Sequence, residues 1–343
     1  GQRGRPTPAP PAVSRGDEVK WTSGVLASKA QYSGEPGAHR KFHVAVTSNA
    51  ARYVQWQMRV MYYHYKKQKA LQGPEGQMGG FTRILHDRED GLMEEIPTCK
   101  VDRLQNEHGF VVLSRPNAFV EWLKKCPVEE DFILMAEPDH LFLQPLPNLM
   151  VGRKAAAFPF FYINPKDHKQ LLRKFIGAEK TDEEIEAMDP VGNSPVYIAK
   201  DDLARLAPIW SDVTMKMKLD PEADKTWGWV LEMWGYTAAA HLAGVEHDLH
   251  PRLAAQPPWD QKIRDFLILH FTYGNDYTLE GEFTPGKIGA WRFDKRSYMG
   301  RIPPQNLAPP PKGCKNELVH KLIEMINEAT ASFGDKWGEG YGR

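Results

Sequence analysis

The chain has 343 residues, with 44 Lys and Arg against 44 Asp and Glu. That length supports one large domain or two modest ones with a real core, and the balanced charge gives no whole-molecule field for nucleic acid or an anionic membrane. Cys99, Cys126 and Cys314 are too few for a zinc knuckle or a small disulfide scaffold, and no run of 18 apolar residues offers a membrane span.

Residues 1–38 are rich in Gly, Pro, Ser and Arg, with little periodicity, and read as a flexible stem. The opening GQRGRPTPAPP has neither Met nor an apolar signal core, as expected of a chain whose targeting segment has been removed. The folded domain is expected over 39–332. Its first strand is predicted at Phe42 to Val46, and a helix from about Tyr53 to Lys69, where Trp56, Val60 and Tyr63 recur at helical spacing. FTRIL and residues 110–113 read as further strands, and RPNAFVEWLKK as a helix with Pro116 near its first turn. Residues 131–136, DFILMA, form a continuous apolar run of the kind buried inside a sheet covered on both faces. AAAFPFFY reads as a strand and 165–185 as a polar helix. DPVGNSPVYIAK reads as a Gly/Pro loop running into a strand, and DKTWGWVLEMWGYTAAAHLAG as one buried helix. DFLILHFTYG is a late strand, and 301–332 a Pro-rich extension followed by a closing amphipathic helix. Residues 333–343 are expected to be a flexible tail. The alternation of strand and helix patterns predicts an α/β fold.

Chemistry concentrates after DFILMA, in Glu137-Pro138-Asp139-His140. Acidic groups beyond the carboxyl end of a central strand sit where open α/β sheets bind ligands. If the segment is extended, Glu137 and Asp139 project to one side and suit Mn²⁺ or Mg²⁺; a polar turn closing the strand is the bland reading. His270 leaves an apolar strand and is a candidate distant ligand, although a lone His there is commonly a core residue. The cluster at 286–298 places Lys287, Arg292, Lys295 and Arg296 among Gly and aromatics, suited to neutralising a diphosphate; Arg83 is a further phosphate candidate. Glu232, an acid within WGWVLEMWGY, needs a partner or a task. It is the first candidate to face a reacting carbon, with Asp224 and Asp189 as rivals. No GxSxG elbow, GxGxxG fingerprint or Walker loop is present.

The motifs MYYHYKKQK, MGGFTRILH, MEEIPT, VVLSRPNAFVEWL, ILMAEPDHLF, AAAFPFFYI, PVGNSPVYI, DPEADKTWGWVLEMWGY, QPPWD, LHFTYGNDY, GKIGAWRFDKRSY and MINEATA follow one another over roughly residues 42–332. Together they resemble the hydroxyproline O-arabinosyltransferases of plants and green algae. The resemblance implies a GT-A glycosyltransferase fold, a mixed and mostly parallel central sheet flanked by helices. It implies a Golgi type II membrane protein whose N-terminal anchor lies outside this sequence. The implied reaction carries L-arabinofuranose from UDP-β-L-arabinofuranose to the hydroxyl of 4-hydroxyproline in extensin-like proteins or secreted peptides, with retention. The metal-binding Asp-x-Asp of such folds is expected at Glu137-Pro138-Asp139, a departure in its first residue, with His270 completing a Mn²⁺ or Mg²⁺ shell. Donor recognition is expected at Thr47 and Ser48 with Arg83, Lys287, Arg292 and Arg296. An extended Pro-rich acceptor is expected at Tyr162, Asn193, Ser194, Trp227 and Trp229. A peptidyl serine α-galactosyltransferase is the neighbouring alternative, and a noncatalytic module binding Pro-rich glycoproteins the alternative of another class.

Overall fold

A computed structural model describes residues 40–341; the stem expected at 1–38 lies outside the described residues. The chain begins with β1 (Phe42–Ser48), all seven residues buried, and α1 (Arg52–Gln72). Then come β2 (Met78–Leu85), β3 (Thr98–Lys100), α2 (Ser114–Lys125) and β4 (Phe132–Ala136). β5 (His140–Phe142), β6 (Ala155–Pro159), α3 (Lys169–Ile176), α4 (Asp182–Glu186) and β7 (Val191–Ala199) follow. After α5 (Lys200–Leu219), α6 (Pro221–Trp227) and α7 (Leu231–Ala243) come the short strands β8 (His247–Leu249), β9 (Ala254–Ala255), β10 (Ile268–His270), β11 (Asn275–Tyr277) and β12 (Trp291–Phe293). α8 (Glu317–Phe333) closes the series.

The main sheet runs β3-β2-β1-β4-β7-β6-β8. β1 is parallel to β2 and β4, β2 to β3 and β6 to β8, whereas β7 is antiparallel to both neighbours. It is therefore the mixed, mostly parallel sheet that was expected. Alternation within strands feeds two cores, as a sheet covered on both faces requires. Phe42, Val44 and Val46 of β1 pack with Met58, Met61 and Tyr65 of α1 on one face. On the other, Ala45, Ile133 and Met135 meet Phe119, Trp122, Trp210 and Tyr236 of α2, α5 and α7. A smaller sheet, β5-β10-β9, lies with α8 on the far side of α1, sharing a core that includes Trp56, Leu141, Leu269 and Leu322.

Several sequence expectations change. The strand expected at 110–113 is a helical turn, Val111–Leu113, leading into α2, with Leu113 buried and Val111 exposed. The polar helix at 165–185 breaks into α3 and α4, the latter opened by a Thr181–Glu184 capping box. Gly192-Asn193-Ser194-Pro195 is part of β7, fully buried, rather than a loop. α5 had no counterpart in the sequence reading. The tail expected to be flexible is folded as far as Tyr341. Trp337 is buried and donates from Nε1 to the Pro303 carbonyl at 2.7 Å, while the Tyr341 ring lies 4.6 Å from the Arg59 guanidinium carbon. The cysteines divide into a Cys99–Cys126 disulfide, tying edge strand β3 to the end of α2, and buried free Cys314.

Candidate active site

β1 and β4 end side by side, and the chain beyond β4 supplies the acidic group. Glu137 to His140 form a turn, closed by the His140 amide donating to the Glu137 carbonyl at 3.0 Å. The carboxylates therefore converge through a turn, not through the extended alternation the sequence suggested. The antiparallel register of β5 and β10 sets His270 opposite His140. Ligating atoms of Glu137, Asp139, His140 and His270 all lie within 4.8 Å of one another. Two carboxylates and two imidazoles suit a divalent transition metal.

These residues fit a metal for a further reason. His140 is fully buried; its Nδ1 accepts from the Glu137 amide at 3.3 Å, and its Nε2 has no partner. Burial and neighbouring His270 push its pKa down to about 3, so the ring is neutral, the form in which an imidazole can ligate a metal. Asp139 meets His270 Nε2 at 3.2 Å and is paired with Lys295. Burial opposes its ionisation, but Lys295 and His270 hold it well below the usual carboxylate range.

Arg115, in the first turn of α2, ties this cluster to a second acidic group. One guanidinium nitrogen donates to Glu137 at 3.0 Å, to Glu232 at 3.2 Å and, more weakly, to Asn193 at 3.4 Å. Ser194 donates to the same Glu137 oxygen at 2.9 Å. Glu232 comes from the first turn of α7, and its other carboxylate oxygen, Oε1, is buried and unpartnered. Burial drives its pKa up to about 7, partly offset by Arg115 and reinforced by Glu137.

A cavity of about 320 Å³ joins these groups, within the range of small-ligand sites. Thr47, Ser48, Tyr162, Asn193, Ser194 and Trp229 line it together with Glu137, Asp139, Glu232 and His270. Other expected site residues lie elsewhere. Arg83 is buried behind Ser48, paired with Asp90 and donating to the Ser48 hydroxyl at 3.1 Å, so it supports the pocket wall. Lys287 is exposed. Arg292 binds Asp276 and Asp294, and Arg296 binds Asp294. Asp224 pairs with Lys218 at the molecular surface. Asp189 accepts from His247, whose other ring nitrogen meets the Tyr236 hydroxyl. Trp227 is buried, stacked on Trp234 with ring centroids 5.1 Å apart.

Sequence reasoning passed over Arg115, Tyr53, His86 and Met233, all of which line the pocket, and named Lys295 only as one of a basic cluster. Arg115 carried a readable signal: a cation in the first turn opposes the helix dipole, so its presence there calls for a local anionic partner. Lys295 is distinguished from its neighbours only by the fold, which brings it to Asp139.

The family model described as the hydroxyproline O-arabinosyltransferase family N-terminal domain matches residues 42–249, and its C-terminal counterpart residues 267–338. Hydroxyproline O-arabinosyltransferase RDN2 of Medicago truncatula is 54% identical over 294 residues, covering 85% of this chain and 80% of that protein. Hydroxyproline O-arabinosyltransferase 3 of Arabidopsis thaliana is 52% identical over 294 residues, covering 85% of this chain and 81% of that protein. Among solved structures, galactosyltransferase LgtC with donor and acceptor sugar analogs aligns over 84% of this chain and 96% of its own, with TM-score 0.43 and 12% identity.

Proposed function

This chain belongs to the hydroxyproline O-arabinosyltransferase family, and from that premise we propose how its pocket transfers L-arabinofuranose from UDP-β-L-arabinofuranose to peptidyl 4-hydroxyproline with retention. The enzyme is a glycosyltransferase acting on extensin-type hydroxyproline proteins. What supports a mechanism at this site is the meeting, across Arg115, of a metal-ligating cluster with a carboxylate whose second oxygen has no partner.

Asp139, His270, His140 and Glu137 would hold Mn²⁺ or Mg²⁺. A bound divalent ion supplies Lewis-acid stabilisation of the diphosphate leaving group. Lys295 adds a second positive charge beside Asp139 for the same oxygens. Thr47 and Ser48, at the carboxyl end of β1, line the donor side, with Arg83 bracing Ser48 from behind. Glu232 lies on the other side of Arg115 and is the carboxylate we assign to the developing positive charge on the sugar. Asn193, Ser194, Tyr162 and Trp229 are assigned to the acceptor side. The sugar's bond to phosphate breaks, with the electron pair leaving on the diphosphate, its bond to the hydroxyproline oxygen forms on the same face, and the hydroxyl proton passes to the departing phosphate oxygen of UDP.

We assign the enzyme to the Golgi lumen, anchored as a type II membrane protein. The Cys99–Cys126 disulfide supports an oxidising compartment, and family membership supports a Golgi-type context. Among the described residues no helix is long and apolar enough to cross a membrane, so an anchor would have to lie outside them.

UDP release from UDP-β-L-arabinofuranose in the presence of a hydroxyproline peptide tests the assignment. Turnover is expected to need divalent metal and to be abolished by Asp139→Ala with the fold intact. Preference for UDP-galactose and a serine peptide would assign a peptidyl serine galactosyltransferase instead. Peptide binding indifferent to chelator, with no turnover of any nucleotide sugar, would leave a noncatalytic module.

A further inference from the structure

Large exposed aromatics are costly to leave in water; of three here, Trp229 lines the pocket, Phe161 packs on the pocket residue Tyr162, and Trp259 packs on Tyr273, next in sequence to the pocket residue Thr272. Trp229 is 62% exposed, Phe161 66% and Trp259 52%. Each is braced by another ring set edge-on to it. Phe110 meets Trp229 at 5.9 Å and 88°, and Tyr162 meets Phe161 at 5.2 Å and 84°. Tyr273 meets Trp259 at 6.4 Å and Phe283 meets it at 5.3 Å, both at 88°. Edge-to-face contacts of this kind fix a ring's orientation while leaving its outer surface free. The exposed rings are thus held in place rather than collapsed into the core.

Their connections lead back to the reacting groups. Trp229 and Tyr162 line the pocket itself. Tyr162 is close enough to Tyr273 and Glu137 for both to add to the upward pKa shift that burial imposes on its hydroxyl. Trp259 closes a turn by donating its amide to the Gln256 carbonyl at 3.1 Å, and the Gln256 side chain reaches His270 Nδ1 at 3.5 Å. Tyr273 follows His270 by three residues. Trp229 and Tyr162 thus stand at the pocket, with Phe161 packed on Tyr162 and Trp259 on Tyr273.

Gly228 explains how the Trp-Gly-Trp segment contributes to this border. Its φ of 48° and ψ of −121° end α6 and turn the chain, so that Trp227 enters the core and Trp229 points to solvent. That conformation is open to glycine and strained for other residues.

We propose that these rings form an acceptor track that grips the prolyl residues flanking the reacting hydroxyproline, and so selects acceptors already in the polyproline II conformation. The proposal rests on the hydroxyproline-transferase reading above. A polyproline II strand carries no internal hydrogen bonds and presents pyrrolidine rings around its axis at 3 residues per turn, about 3.1 Å apart along it. Such a ligand binds aromatic-lined grooves at little ordering cost. The track meets the pocket at Trp229 and Tyr162, where one hydroxyl of the acceptor would be presented to the reacting carbon. A chain needing to fold onto these rings would lose that advantage.

The test compares wild type with Trp259→Ala and Phe161→Ala, two exposed positions outside the reacting groups, with circular dichroism as the check on folding. Binding of a fluorescent decapeptide of alternating proline and hydroxyproline is read by anisotropy, and transfer by UDP release. Each substitution is expected to raise peptide Kd and KM roughly three- to tenfold, the scale of one lost aromatic contact, with kcat and UDP affinity unchanged. A decapeptide with one hydroxyproline among glycines and serines is expected to bind wild type at least tenfold more weakly, and equally to both variants. Unchanged Kd for the prolyl peptide in both variants, or equal losses for both peptides, would overturn the track. If wild type binds the peptide in the expected manner but turns over no UDP-arabinofuranose, the donor assignment fails while the track stands.

Discussion

Glu232 is the residue whose ionisation has the clearest consequence. Its pKa is driven up to about 7 by burial, above the ordinary carboxylate value near 4.3. The proton-binding difference fixes the sign for stability. Between roughly pH 4.3 and 7 the native state keeps a proton that the unfolded chain has released, so this group's contribution to stability falls as pH rises through that window. Glu232→Gln is expected to flatten that slope in chemical denaturation measured from pH 4.5 to 7.5. The same titration sets the rate if the ionised carboxylate faces the sugar. Transfer should then rise with pH through about 7 in the wild type. The Gln variant should lose two or more orders of magnitude in kcat, the scale of a lost electrostatic stabiliser, and show no such limb. A Gln variant with the wild-type pH limb would assign that limb to another group. Arg115 opposes the rise by stabilising the anion, so removing it would carry the limb to higher pH.

At the scale of elements, the strands around the site were the most legible part of the sequence. FHVAVTS and FILMA are apolar runs bounded by polar residues, and both are central strands whose carboxyl ends border the pocket. The acidic turn was found for the same reason: it follows such a run directly. What escaped was set by tertiary contact. FVVL has strand-like composition, yet its helical turn leads straight into α2, and Leu113 packs into the core beside Phe110. GNSP reads as a turn from its residue types, but β7 is buried through all nine residues, which places Asn193 and Ser194 beside Glu137. The Trp-rich helix was read as continuous because its apolar content is continuous; Gly228 divides it. A Cβ at Gly228 would meet nothing within 4 Å, so the cost of Gly228→Ala is conformational rather than steric. It is expected to lower stability by about 1–3 kcal/mol in denaturant unfolding. It should also raise acceptor KM more than donor KM, because the chain after residue 228 carries Trp229.

Across the whole molecule, the site draws on three sheets, the third being the β11-β12 pair. Glu137 and Asp139 follow β4 of the large sheet, His270 ends β10 of the small one, and Lys295 follows β12. A ligand bound by the assembled state alone stabilises it by mass action. Mn²⁺ at one hundred times its Kd should therefore add about 2.7 kcal/mol of stability, read as a rise in Tm that EDTA reverses. Asp139→Asn should abolish the rise with no UDP-sugar present, and an unchanged rise would move the metal elsewhere. The Cys99–Cys126 bridge, spanning 27 residues, acts at the edge of the large sheet. Its replacement by two serines should cost about 2–4 kcal/mol while leaving peptide affinity intact. His270 and Lys295 have a further consequence for the order in which the enzyme is made. They lie 131 and 156 residues after Asp139, so a growing polypeptide can lay down its first acidic groups long before the remaining ones leave the ribosome. An interrupted translation product that stops before residue 268 would carry those carboxylates without their imidazole and ammonium partners. On the site proposed above, competence for transfer arrives late in synthesis, once the chain has passed residue 295.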